Sequence, residues 1–285
     1  ADRNFELAIR AAIGKPEGKI LLEDVECVRH LYAAEAGIQS LVGIENLVQL
    51  EELNLSSNLI IDISPLASLV NLRNLVLYDN QITDISPLSG LINLEDLYLE
   101  DNQITDITAL VRLVELRSLH LSANEIVDIS ILTDLDNLEF LDLACNPISD
   151  IGPLAGITKL THLYLGWHSN GLTNISALAN LRELRTLWLA DCKISDISVL
   201  VGLTKLTQLH IGMNEIVDIS CLAELRGLKV LCLFQNLISD IAALEGLTDL
   251  EFLMLRDNAL DLHDRATSAV LDALKGRGVD IDIEW

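Results

Sequence analysis

Aromatic and histidine side chains are the residues of this chain best suited to specific chemistry, and they recur in step. The series Asn54, Val76, Tyr98, His120, Asp142, Tyr164, Trp188, His210, Cys232 and Met254 advances by 22 residues, with a single step of 24. Two residues earlier, a second series carries Phe140, His162 and Phe252, and a third, further along each step, carries Tyr78, Trp167 and Phe234. Eight of the eleven aromatic residues fall in these three series. Rings beside acids and imidazoles offer a partner broad apolar faces with polar edges, which is the composition of a protein-binding hot spot. They do not make a reaction centre. No nucleophile–base pair, phosphate-cradling loop or close pair of acids accompanies them, so the sequence reads as a non-enzyme.

Two sharper chemistries fit less well. His120 and His162 sit two steps apart, roughly 10 Å if each step is one strand of a sheet, too far for shared zinc ligation. Asp79 and Asp101 stand on adjacent steps and could approach a calcium ion, but one carboxylate from each is a thin donor set. Neither a metal nor a cofactor is expected.

What positions these side chains is a repeat. Asn58, Asn80, Asn102, Asn124 and Asn146 lie 22 residues apart, and the spacing resumes with Cys192, Asn214, Asn236 and Asn258. Around each anchor one frame returns: Leu50, Leu53, Leu55, Asn58, Ile60, Asp62, Ile63, Leu66 and Leu69 in the first full unit, then Leu72, Leu75, Leu77, Asn80 and onward. About ten units fit between residues 50 and 262. Such a period means a stack of identical supersecondary units. In each Leu-x-Leu the leucines point inward from a short strand and the residue between them points out. The outward residues are therefore those of the three series above. The anchor Asn has donors and an acceptor with which to satisfy turning backbone; Cys192 in its place should make a softer rung. The ladder Asp62, Asp84, Asp106, Asp128, Asp150, Asp196, Asp218 and Asp240 should cap the amides of a short helical turn, which Pro65, Pro87 and Pro153 suit.

The fold class is thus an α/β repeat solenoid: a curved leucine-rich-repeat horseshoe with a concave parallel sheet and short 3-10 or irregular turns on the convex side. It is expected to be one domain over 1–285. Residues 1–49 form a helical N-terminal cap and half-repeat, 50–262 the repeats, and 263–285 a helix–strand cap. The apolar spacing predicts helices over 2–13, over roughly 23–34 and over 264–275, and a closing strand near 279–283.

One unit is irregular. After Asn146 the next anchor is either His168, with two residues inserted behind it, or Asn170, and Gly166-Trp-His-Ser-Asn-Gly171 bulges accordingly. Carrying Trp167 and His168 beside Tyr164 and Trp188, the bulge reads as part of a binding site. The outward face grades from acidic (Glu51, Glu52, Asp79, Asp96, Glu100, Asp101) through aromatic and His-bearing to apolar. The partner-binding residues expected are Tyr98, His120, Phe140, Asp142, His162, Tyr164, Trp167, His168, Trp188, His210, Phe234 and Phe252.

A net charge of −24 rules out general binding to nucleic-acid backbones and to anionic membranes. No apolar run nears the ~18 residues of a membrane span. The expected partner is a protein or peptide, with a basic segment to match the acidic end, and the chain itself is expected to be a monomer. Five cysteines without metal-type spacing read as thiols rather than a disulfide framework.

The run Asn80-Gln-Ile-Thr-Asp-Ile-Ser-Pro-Leu88, repeated with small changes behind a helical cap, resembles the internalin-type bacterial leucine-rich repeat. The opening Phe5-x-Leu-Ala-Ile-Arg and Gly14-Lys-Pro-x-Gly18 resemble the caps of bacterial extracytoplasmic repeat proteins. The resemblance implies a solenoid that engages protein receptors through its concave sheet, secreted or at the cell surface. The alternatives are an intracellular scaffold like the phosphatase-regulating repeat proteins, which thiol cysteines favour, and an engineered scaffold, which the irregular outward positions disfavour.

Overall fold

The computed structural model describes residues 2–167 and 171–283. The chain divides into two compact units, Ala1–Leu141 and Asp142–Trp285.

The first unit opens with α1 (Arg3–Ile13). Asp2 caps it by accepting from the amides of Asn4 and Phe5, and Gly14 ends it at φ 64°. Phe5 and Ile9 are its buried residues. The expected second helix shrinks to one turn, α2 (Leu22–Val25). The chain then forms a strand, β1 (His30–Tyr32), where a helix to residue 34 was expected. The cause is register: Leu31 pairs with Leu53 in a parallel ladder, so burial beside the first full repeat overrides a spacing that also fits a helix. Strands β2 (Glu52–Asn54), β3 (Asn74–Val76), β4 (Asp96–Tyr98) and β5 (Ser118–His120) follow, each parallel to the one before in unbroken 22-residue register. The first two residues of β6 (Phe140–Asp142) close the unit.

The second unit carries β7 (His162–Tyr164), β8 (Thr186–Trp188), β9 (Gln208–His210), β10 (Val230–Cys232), β11 (Phe252–Met254) and β12 (Asp280–Asp282). These too run parallel and in sequence order. Before the last strand comes α3 (Arg265–Gly276), capped by Asp264 and buried through Thr267, Val270, Leu271 and Leu274. The helix–strand cap is where the sequence places it.

In both units the strand leucines and the return-side Ile and Leu are at or near zero exposure. The return side is made of five-residue 3-10 turns such as Ser64–Ser68 and Ser198–Gly202. Asp62 accepts from the amide of Ser64 at 2.8 Å, and Asp106, Asp128, Asp196 and Asp218 repeat the contact. Each Asp thus stands one residue ahead of the true N-cap, the Ile, and closes an Asx-type turn. The amide bond holds each of these five carboxyls below the usual range. Asn174 does the same for Ser176 at 3.0 Å.

The anchor asparagines bind coil to coil. Asn80 donates Nδ2 to the carbonyls of Leu55, Leu77 and Tyr78, and accepts at Oδ1 from the amide of Ile60. Asn102, Asn214 and Asn236 repeat this pattern. Cys192 holds the same place, and its Sγ makes longer contacts to the carbonyls of Leu165 at 3.6 Å and Ala190 at 3.4 Å.

A flank of the first unit carries Arg29, Glu51, Arg73, Glu95, Arg117 and Glu139, one per coil and alternating in sign. Arg29 meets Glu51, Arg73 lies 2.5 Å from Glu95, and Arg117 lies 3.3 Å from Glu139. Glu51, expected on the acidic outward face, belongs to this ladder instead.

Candidate protein-binding face

The outward strand positions show what the repeat exposes. In the first unit the rings of Tyr98, His120 and Phe140 stack, with centroids 4.3 Å apart at both steps. Phe140 sits one strand on but two places earlier in the frame than His120, so the stack runs diagonally across the strands. The His120 imidazole is held at both nitrogens, Nδ1 lying 3.3 Å from Glu100 Oε1 and Nε2 2.9 Å from Ser118 Oγ. Glu100 Oε2 is buried with no hydrogen-bond partner among the described residues, an acceptor left open to a donor. Burial beside this stack holds the Asp96 carboxyl above its ordinary range and the Tyr98 phenol above its own.

Sequence reasoning passed over the residues just before this stack. Tyr32 in β1 is well exposed and its hydroxyl meets Glu52, whose other close contact is His30 Nδ1 at 3.4 Å. The signal was available: Leu31 stands 22 residues before Leu53.

The second unit holds its own cluster. Trp188 stacks on His210 at 4.1 Å and lies 5.7 Å from Tyr164 and 6.3 Å from Trp167. Burial pushes His210 down to about 4. It lowers His162 as well, helped by the charge of Arg185, and His162 Nδ1 lies 2.8 Å from Thr161 Oγ1. Asp142 accepts from the Ala144 amide, and its charge adds to the burial that raises Tyr164. Trp167 has φ 54°, as do its counterparts Ser57, Asp79, Asp101 and Asp191 within a few degrees. Each of those counterparts immediately precedes an anchor. His168 and Asn170 lie outside the described residues.

Phe234 and Phe252 stand apart from this cluster. The Phe234 ring packs close over Gly212, with the Arg256 guanidinium 5.5 Å from its ring centre. Phe252 pairs in register with Val230 and Asp280 and has no aromatic strand neighbour. The stacked rings are half-buried, because each covers its neighbour. The exposed apolar area is accordingly smaller than a count of eight rings implies, while Trp167 and Tyr78 remain well exposed.

Among the described residues, no group of three His, Cys, Asp or Glu side chains is placed to hold a metal ion. No helix among them is long and apolar enough to cross a membrane. None of the five cysteines forms a disulfide, and burial pushes the thiols of Cys221 and Cys232 up to about 11.

Short parallel strands, 3-10 return turns and an asparagine ladder define a leucine-rich-repeat solenoid. The family model for leucine-rich repeats in two copies matches over residues 70–112, 114–156, 136–180, 158–202 and 182–224. Within that class the chain belongs to the internalins. It is 33% identical to an internalin, InlF, of Listeria monocytogenes, covering 100% of this chain and 91% of that one with a TM-score of 0.90. It is 31% identical to internalin C2 of the same organism, over 84% of this chain and 93% of that one, with a TM-score of 0.63. The Arabidopsis receptor kinase HAESA, solved in complex with a peptide hormone and a co-receptor, is 26% identical over 74% of this chain and 39% of that one, with a TM-score of 0.67. No curated protein sequence matches the chain.

Proposed function

We propose that the chain is a non-catalytic recognition module acting outside the bacterial cytoplasm, and that its outward strand face captures a protein or peptide. The observation that carries this reading is the pair of ring clusters, Tyr98–His120–Phe140 and Tyr164–Trp188–His210, built on positions free of core duty. Rings already stacked and locked lose little freedom when a partner docks, which favours affinity. Asp96, Glu100 and Asp142 beside them suit a basic residue in the partner, and the net charge of −24 favours its approach. The internalin relatives and the peptide-bound plant receptor support the same reading.

A displayed random-peptide library, selected against the intact chain, tests it. Clones should enrich, carry Lys or Arg, and lose binding at least ~10-fold to Tyr164→Ala/Trp188→Ala or to Tyr98→Ala/Phe140→Ala. Equal capture by both double variants, with unchanged melting, would move the site off this face. Fractionation of the source cells tests location: recovery from the cytosol alone would favour the intracellular reading.

A further inference from the structure

Beyond that reading, we infer that a flank of the first unit is a self-complementary surface, on which a second copy of this chain docks antiparallel about a two-fold axis. Three neighbouring columns carry the argument. The outermost is aliphatic: Val48, Val70, Ile92 and Val114, each 42–47% exposed. The next is amide-rich, with Gln49, Asn71, Asn93 and Glu115. The third is the alternating ladder from Arg29 to Glu139.

An isologous contact pairs a surface with its own reverse. A two-fold axis lying in the contact plane, across the columns and midway between the coils of Arg73 and Glu95, keeps each column facing itself and reverses its order. A ladder of six alternating charges is its own complement under that reversal. Arg73 meets Glu95 of the other copy, Glu51 meets Arg117, and Arg29 meets Glu139. The same axis sets Val70 against Ile92 and Val48 against Val114. It also sets Asn71 against Asn93, and Gln49 against Glu115, which are hydrogen-bonding pairs. A parallel docking at the same coils would place Arg on Arg and Glu on Glu.

The second unit supplies a contrast within the same chain. Its places equivalent to the aliphatic column are Thr158, Arg182, Thr204, Arg226 and Thr248, and those equivalent to the ladder are Thr161, Arg185, Thr207, Lys229 and Glu251. The repeat therefore tolerates polar and charged residues at the first place and a non-alternating mixture at the second, and the apolar, alternating pattern is particular to the first unit. The apolar column ends at Asp136, in the same coil in which the ladder ends. Each Arg already pairs along its own column, so a second copy extends an ordered row into a checkerboard and finds its side chains in place.

The strip is ~24 Å long at ~4.8 Å per coil, small for a stable interface. A dissociation constant on the order of 100 μM is expected. In place of the monomer expected from sequence, sedimentation at about 150 mM salt, where long-range repulsion is screened beyond ~8 Å, should show a dimer as concentration rises. Arg73→Glu and Glu95→Arg should each remain folded, as circular dichroism and melting will show, and each should dissociate at least ~10-fold more readily, because symmetry applies every reversal twice. Mixed in equal amounts, the two variants should associate again, since the all-acidic centre of one copy then faces the all-basic centre of the other. A role confined to pairing along one chain predicts no such rescue. The proposal is overturned by a wild-type chain that stays monomeric up to ~1 mM, by dimerisation indifferent to Arg73→Glu, or by a mixture that stays monomeric.

Discussion

The ring of Phe234 occupies the space that a side chain at Gly212 would fill. A Cβ added to Gly212 would come within 2.3 Å of Phe234 Cε1 and 2.4 Å of Cδ1. The missing side chain at Gly212, two residues past β9, is thus what lets the next coil bring an aromatic ring close over this backbone, with the Arg256 guanidinium 5.5 Å from the ring centre. Gly212→Ala should swing the ring away and lower stability by about 1–2 kcal/mol. In a Phe234→Ala background the same change should cost almost nothing. Thermal melts of the four proteins give the coupling, and additive effects would contradict the contact.

Trp167 adopts a left-handed backbone, φ 54°, that bulky residues rarely hold without strain. Trp167→Asn should therefore raise stability, by about 1 kcal/mol, while weakening partner capture. A melting temperature that drops as far as it does for Trp188→Ala would show that the indole's packing outweighs the strain.

Rungs of the ladder should differ in strength. Asn102 makes three donor contacts and accepts one, so Asn102→Ala leaves several buried backbone groups unpaired and should cost roughly 2–4 kcal/mol. Cys192→Ala removes long, weak sulfur contacts to the carbonyls of Leu165 and Ala190 and should cost less than half as much. Chemical denaturation of both variants measures the ratio, and equal losses would mean that the anchor's size matters more than its hydrogen bonds.

Acid should loosen the second unit through His210. Its folded value of about 4 lies below the ordinary 6.5, so between those values the unfolded chain binds a proton that the folded one refuses. Stability is then lost as pH falls from about 6.5 towards 4, and this group adds no slope above that window. Allowing for solvent screening of a partly exposed ring, the loss is roughly 1 kcal/mol. His210→Phe should keep the stack on Trp188 and flatten the melting curve over that pH range. An unchanged slope would assign the acid sensitivity elsewhere, with His162 the next residue to replace.

The repeat was legible because its demands are discrete. A leucine facing inward and an asparagine at the turn leave no substitute of equal size and valence, so Leu53, Asn58 and their successors stand out at once. The stretch 23–34 is ambiguous in sequence because Val25, Val28, Leu31 and Tyr32 satisfy a helical period as well as a strand; only the 22-residue step from Leu31 to Leu53 separates the two. The ring series told which side chains face outward but not how they meet. That depends on rotamers, which turn Phe140 towards His120 across a diagonal and lay Phe234 on Gly212. The flank ladder is present in plain sequence, but Glu51 and Glu52 are adjacent acids, and only the strand register separates Glu51, which pairs with Arg29, from the outward face of Glu52.

Every bond of the asparagine ladder reaches a fixed number of residues back, such as 3, 20 or 25. Excising 22 residues from the first unit therefore leaves each bond an equivalent partner, and the chain could shorten or lengthen in descent by whole coils. The flank keeps a different count. Its sign alternates from coil to coil, so losing one coil sets two like charges side by side and abolishes the reversal symmetry, while losing two preserves both. If that surface has been under selection, lineages should differ there by even numbers of coils.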